Sequence, residues 1–149
     1  MALTTTSVNS CDAGVWLDTL AGVLTDIGGS SNNVSLNFTL NIGEVKAFGS
    51  RWPVRRNCGK DATANLSVIY STAADEGLDI LKDWFFSAAP NSRTMKVYLP
   101  DKNVGSDVYS GEWQMESLDV PVAANEATPI VVTAVLKSDG EITLTTNAT

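Results

Sequence analysis

The sequence predicts a mainly β domain: an antiparallel β sandwich or barrel with one flanking α-helix and a long basic loop. Three observations predict it. Residues 33–42 alternate strictly between apolar and neutral polar side chains, the period of a half-buried strand. Further stretches with a strand-like pattern recur along the chain, separated by Gly, Pro, Asn and Asp clusters. Only residues 75–86 change to a helical period. With 149 residues and 44% hydrophobic composition, the chain reads as one domain over 1–149 that buries roughly 68–70% of its surface on folding.

Taken in order, residues 1–14 read as an N-terminal arm. Residues 21–27 are expected to pair antiparallel with the strand at 33–42, across the turn-rich loop 28–33. In that strand Val34, Leu36, Phe38, Leu40 and Ile42 are expected to face the core. Asn33, Ser35, Asn37, Thr39 and Asn41 then face outward without a single charge. Residues 49–61 read as a long inter-strand loop, and 62–70 alternate again. The helix is expected within 72–87, with Leu78, Leu81, Trp84 and Phe85 inward, Ser71 or Thr72 as cap, and Asp75 and Glu76 at its positive end. Pro90 and Asn91 close it. A short strand follows at 94–99 and a polar loop at 101–107. A long strand at 108–122 shifts phase near Glu116 and Ser117, which predicts a bulge there. Residues 129–137 are apolar on both faces, as in a strand covered on both sides or at an interface. Ser138-Asp-Gly140 is expected to turn the chain into a last strand at 141–146.

The residue inventory excludes several chemistries. There is no histidine, which removes Ser-His and Cys-His couples and most zinc sites. Cys11 and Cys58 are 47 positions apart and form no CxxC, so they read as free thiols of a reducing compartment. The first ten residues lack the basic and apolar regions of a secretory signal, and no apolar run reaches the ~20 residues that span a membrane. No cofactor or metal is expected. The loop at 101–107 faintly echoes a calcium loop, but Gly105 comes one place early and Glu112 reads as strand. Asp75, Asp79 and Asp83 share one helix face. They read first as a solvated face relieved by Lys82, with an acidic docking stripe as the alternative. The net charge of −7 argues against a dedicated nucleic-acid binder.

Against that acidic balance, residues 49–60 hold Arg51, Arg55, Arg56 and Lys60 around Trp52, with no acid. On charge alone this is either a solvated basic loop or a loop that meets an acidic surface of another copy. Charged residues are only 18% of the chain, below the usual ~25%, as suits a surface buried against further copies.

The order of these segments resembles the major tail tube proteins of long non-contractile bacteriophage tails. The resemblance is carried by residues 24–39, by the long segment around Arg51 to Lys60, by Lys96-Val-Tyr-Leu-Pro100, Tyr109-Ser-Gly-Glu-Trp113 and Met115-Glu-Ser-Leu-Asp-Val-Pro121, and by Pro129-Ile-Val-Val-Thr133 with Asp139-Gly-Glu-Ile-Thr-Leu144. It implies a structural virion protein rather than an enzyme. Such a protein is assembled in the host cytoplasm into stacked, six-membered rings that bind other tail proteins and pass DNA without binding it specifically. It further implies an inter-ring interface at Arg51, Trp52, Arg55, Arg56 and Lys60. Combined with the strand patterns, it suggests a subunit interface at Val131, Thr133 and Val135 and a lumen-facing set of Ser35, Asn37, Thr39 and Asn41. Two alternatives stay open: another virion protein, such as a tail-end protein or a contractile-tail inner tube, and a sugar-binding β sandwich using Trp52.

Overall fold

The computed structural model describes residues 13–19, 22–29, 31–74, 76–87, 92–99, 101–122 and 129–148. Cys11, Asp75, Pro90, Asn91 and all but the last two residues of the expected N-terminal arm lie outside this set. The elements run β1 (Gly14–Asp18), β2 (Leu24–Asp26), β3 (Ser31–Val45), β4 (Val54–Ile69), α1 (Gly77–Phe86), β5 (Arg93–Leu99), β6 (Asp107–Asp119), β7 (Val131–Ser138) and β8 (Thr143–Thr146). The strands form one antiparallel sheet in the order β2-β1-β5-β6-β7-β4-β3, with β8 also on β6.

The long strand β6 joins the two halves of this sheet. Its first half pairs with β5 and its second with β7. The register slips between Met115 and Ser117, where the phase shift in the sequence predicts a bulge. An extra residue bends a strand and raises its twist, so the sheet curls around a single core. Leu17 and Val97 of one half share that core with Leu66, Val68, Val132 and Leu136 of the other. Helix α1 closes it with Leu78, Ile80, Leu81 and Trp84. Each such large side chain contributes about 1.5–3 kcal/mol by leaving water. Arg93 is also buried. It lies over the Trp84 ring at 5.5 Å and donates to the carbonyls of Asp18 and Ile80. Burial lowers its pKa, opposed by the charges of Asp83 and Asp18.

Four expectations are corrected. Residues 24–26 pair with β1, not with β3, because Ile27 donates to Val15 and holds the chain on that side; the short β1 was hidden in what reads as an N-terminal arm. The helix begins at Gly77 with Glu76 as its cap residue, whose own side chain makes no capping bond; the Ser71 hydroxyl accepts from Ala73 in a local turn. Phe85, expected inward, is only partly buried, at 37% exposure. Finally, Ser138-Asp-Gly140 does not reverse the chain. Ser138 pairs with Trp113 and Thr143 with Ser110, so β8 continues the lane of β7 along the same edge of β6.

The step between β7 and β8 needs two glycines. Gly140 has φ +103°, a region open to glycine and costly for other residues. Gly111 lies under the step: a Cβ there would sit 2.3 Å from Ile142 Cδ1 and 3.2 Å from the Glu141 carbonyl oxygen. The first contact is a movable side chain and the second is backbone. We expect Gly111→Ala to destabilise the domain by about 1–3 kcal/mol through overpacking, read by urea denaturation; an unchanged midpoint would mean that β8 is not seated on β6.

Candidate assembly interface

The segment expected as a loop over 49–61 is mostly strand. β3 and β4 stay paired from Val34–Leu66 out to Val45–Val54, leaving only residues 46–53 as the connecting tip. Together they form an arm. The reason is cross-strand hydrogen bonding, which continues where sequence alternation fails. An extra residue, Cys58, enters β4 where Asn41 pairs with Gly59 and Ile42 with Asn57. Gly59, at φ +149°, permits this bulge. The arm outruns the core: Phe38, Leu40 and Ile42, expected inside, are 49%, 45% and 55% exposed. Val34 and Leu36 do pack on the core. Ten alternating residues extend about 33 Å, more than a small core covers, and that length was the signal available in the sequence.

The basic residues do not form one patch. Arg51 and Trp52 stand at the tip. Arg55 pairs with Glu44, also by a 3.6 Å ion pair, and Lys60 pairs with Leu40. Arg56 pairs with Gly43 and therefore points to the opposite face from its neighbour Arg55. Paired residues on adjacent strands share a face, so the arm has two. One carries Phe38, Leu40, Ile42 and Lys60. The other carries Ser35, Asn37, Thr39 and Asn41, all exposed.

That second face extends across the sheet. Ser35 pairs with Asn65, and Asn65 with Val135; Thr133 pairs with Ser67 and Val131 with Ile69. The residues expected at a lumen and those expected at a subunit interface thus lie on one continuous face, opposite the core. The buried side of β7 is Val132, Ala134 and Leu136. The outer face mixes uncharged polar side chains with the apolar Ile69, Val131 and Val135 and with the charged Arg56, Asp61, Asp119 and Lys137; Lys137 lies 3.8 Å from Glu116.

Both edges of this four-stranded unit, β3-β4-β7-β6, are open among the described residues. β3 pairs only with β4, and residues 114–119 of β6 pair only with β7. The alternating directions make these two edges antiparallel to one another. Unpaired edges are templates for another strand.

Catalytic and ligand features are sparse. Among the described residues no cluster of His, Cys, Asp or Glu is placed to hold a metal. Asp101 accepts from the Asn103 amide and the Ser106 hydroxyl, which hold its carboxyl below the usual range; this closes its own loop. Trp84 and Trp113 are core, Trp16 is half-buried edge-on to Tyr98 in β5, and Trp52 is exposed at the tip of the arm.

No family profile matches the chain, and no curated protein matches it. Solved structures do. A chain in the C6-symmetric tail of an empty gene transfer agent particle aligns with TM-score 0.71 at 17% identity, over 93% of this chain and 99% of that one. The SPP1 tail tube aligns with TM-score 0.75 at 9% identity, over 96% and 81%. A chain of the anti-feeding prophage baseplate aligns with TM-score 0.74 at 11% identity, over 99% of both. The chain has a tail-tube fold.

Proposed function

We propose that this chain is a structural tail tube subunit that closes into six-membered rings, which stack into a tube for DNA. The observation that carries the proposal is the unit β3-β4-β7-β6, with its two open antiparallel edges and an outer face on which Ser35, Asn37, Thr39 and Asn41 are exposed and uncharged. When β6 of one copy pairs with β3 of the next, the ladder stays antiparallel throughout. Four strands from each of six copies, at about 4.8 Å spacing, enclose a barrel about 37 Å across before strand tilt widens it. The six-fold choice follows the C6 symmetry of the gene transfer agent tail.

In that arrangement Ser35, Asn37, Thr39 and Asn41, with Thr133, line the bore, and Val131 and Val135 share its wall. The subunit interface is then the strand edges rather than the β7 face. The arm tip, with Arg51 and Trp52, projects toward the neighbouring ring. The protein would act in the virion, with other tail proteins as partners and no chemical step of its own. A contractile-system inner tube is the second reading, favoured by the alignment with a chain of the sheath–tube complex of an extracellular contractile injection system, at TM-score 0.67 and 12% identity over 96% of this chain and 94% of that one. Negative-stain electron microscopy of the purified protein tests the proposal: rings or tubes are expected, and strict monomers across protein and salt concentrations would overturn it.

A bore whose few cations, such as Arg56 and Lys137, are matched by acids such as Asp61 and Asp119 displaces few phosphate counterions. Asn37→Lys with Thr39→Lys is therefore expected to permit tube assembly and slow DNA passage, with the slowing relieved by added salt. Ejection kinetics of particles carrying both lysines are the measurement, and unchanged kinetics would remove these side chains from the bore.

A further inference from the structure

We infer that the joint between copies is staggered: β6 of one copy pairs with β3 of the next at a shift toward the arm, with Ser117 opposite Thr39 and Leu118 opposite Phe38. The inference rests on the tube reading and deepens it by fixing the register of its joint. The β3 edge points to a strand as its partner. From Ser31 to Gly43 it carries no Lys, Arg, Asp, Glu or Pro, the residues that normally blunt a free edge. The β6 edge matches it. Leu118 pairs with the buried Ala134 and so stands on the core face. Val120 and Val122 continue its period just beyond the strand, and both are exposed, as are Phe38, Leu40 and Ile42 on β3. Glu116 and Asp119, the acids of the β6 edge, would meet only uncharged side chains.

Barrel closure sets the shift. Within one copy the register runs level from Asp119 through Thr133 and Ser67 to Asn33, and from Ser117 through Val135 and Asn65 to Ser35. Strands of a closed barrel tilt by about 35–45°, so each level line must climb before it meets the next copy. Four strands span about 19 Å, and a climb of four residues is about 14 Å, which is a tilt of about 35°. A shift of two residues gives about 20° and of six about 46°, both outside that range. Odd shifts turn Leu118 to the outer face. A shift away from the arm sets Ser117 level with Ser31 and runs Asp119 past the start of β3. Toward the arm there is strand to receive it: β3 continues to Val45, well beyond Asn37, which is level with Gln114. The bulge at Glu116 then sets Met115 opposite Leu40. The overhang of the β3–β4 ladder past β7 is the stagger that closing the barrel requires.

The test uses the full chain with Cys11→Ser, Cys58→Ser and Ser117→Cys, combined in turn with Ser35→Cys, Asn37→Cys, Thr39→Cys or Asn41→Cys. All five positions are exposed. Tubes are assembled under reductant and then oxidised. Directly opposed residues bring their Cβ atoms to about 4.5–5.5 Å and diagonal ones to about 7–8 Å, so a disulfide, which needs about 3.5–4.5 Å, reads the register. Within one copy Ser117 lies three ladders from Ser35, about 14 Å, and cannot reach it or the others. The Thr39→Cys combination is expected to give a ladder of covalent oligomers, at least tenfold more than the Ser35→Cys combination. A maximum at any other position, or no disulfide in well-formed tubes, would overturn the register and leave the tube reading standing. Hydrogen exchange on wild-type protein decides if a variant fails to assemble. Assembly is expected to protect edge amides within residues 37–41; protection confined to 33–37 would mean a level joint and overturn the stagger. Wild-type protein that forms neither rings nor tubes would overturn the tube reading and this joint with it.

Discussion

Replacing residues 42–58 with Asn-Gly is expected to yield a folded monomer that no longer builds tubes. The replacement joins Asn41 to Gly59, its cross-strand partner, through the dipeptide most favourable for a two-residue hairpin turn. It removes the bulge, the tip with Arg51 and Trp52, and the exposed Ile42, Val45, Phe48 and Val54. None of the buried core residues lies in the deleted span, so the melting temperature should move by no more than about 4 °C, the shift for roughly 1 kcal/mol in a domain of this size. Assembly should fail because, among the described residues, the outer part of the arm reaches beyond the body and exposes Ile42, Val45, Phe48 and Val54. Circular dichroism melting and negative-stain microscopy read the two halves of the prediction. Normal tubes from the shortened protein would show that the arm is not a stacking element.

Trp84→Ala is expected to be the most damaging single substitution for stability. The indole is 1% exposed between α1 and the sheet, and its removal leaves a large cavity that the strands cannot close. Aromatic-to-alanine changes in cores cost about 3–5 kcal/mol. Here the ring also carries the Arg93 guanidinium at 5.5 Å, so a buried cation loses its apolar and π contact while its carbonyl partners Asp18 and Ile80 shift with the helix. Urea denaturation should show the loss, and Trp84→Phe should recover part of it by refilling the space. A cost below about 1 kcal/mol for the alanine variant would mean that α1 is not docked through this residue.

Several features were legible because they are local. The helical period over Leu78, Leu81 and Trp84 predicts α1, since side chains three and four apart share a face. The phase slip at Glu116 and Ser117 predicts the bulge in β6, because strand alternation cannot change phase without an extra residue. The exposed set Ser35, Asn37, Thr39 and Asn41 was readable for the same reason. Other features were not. Alternation shows that Phe38, Leu40 and Ile42 share a face, and it is silent on whether anything covers that face.

The sequence by itself determined the class of the domain, most of its strands though not β1 or the outer half of β4, a core-facing helix and the lack of histidine. These follow from periodicity and composition, which act through near neighbours. Only the tertiary structure decided which strand lies beside which. β2 joins β1 and β8 extends the lane of β7, because long-range hydrogen bonding depends on edges that the local pattern does not specify. The tertiary structure also turned the supposed basic loop into an arm, since ladder hydrogen bonds between Val45 and Val54 need no apolar alternation. It placed Val131, Thr133 and Val135 on one face with Ser35 and Asn37, because register, not sequence distance, sets which side chains stand together.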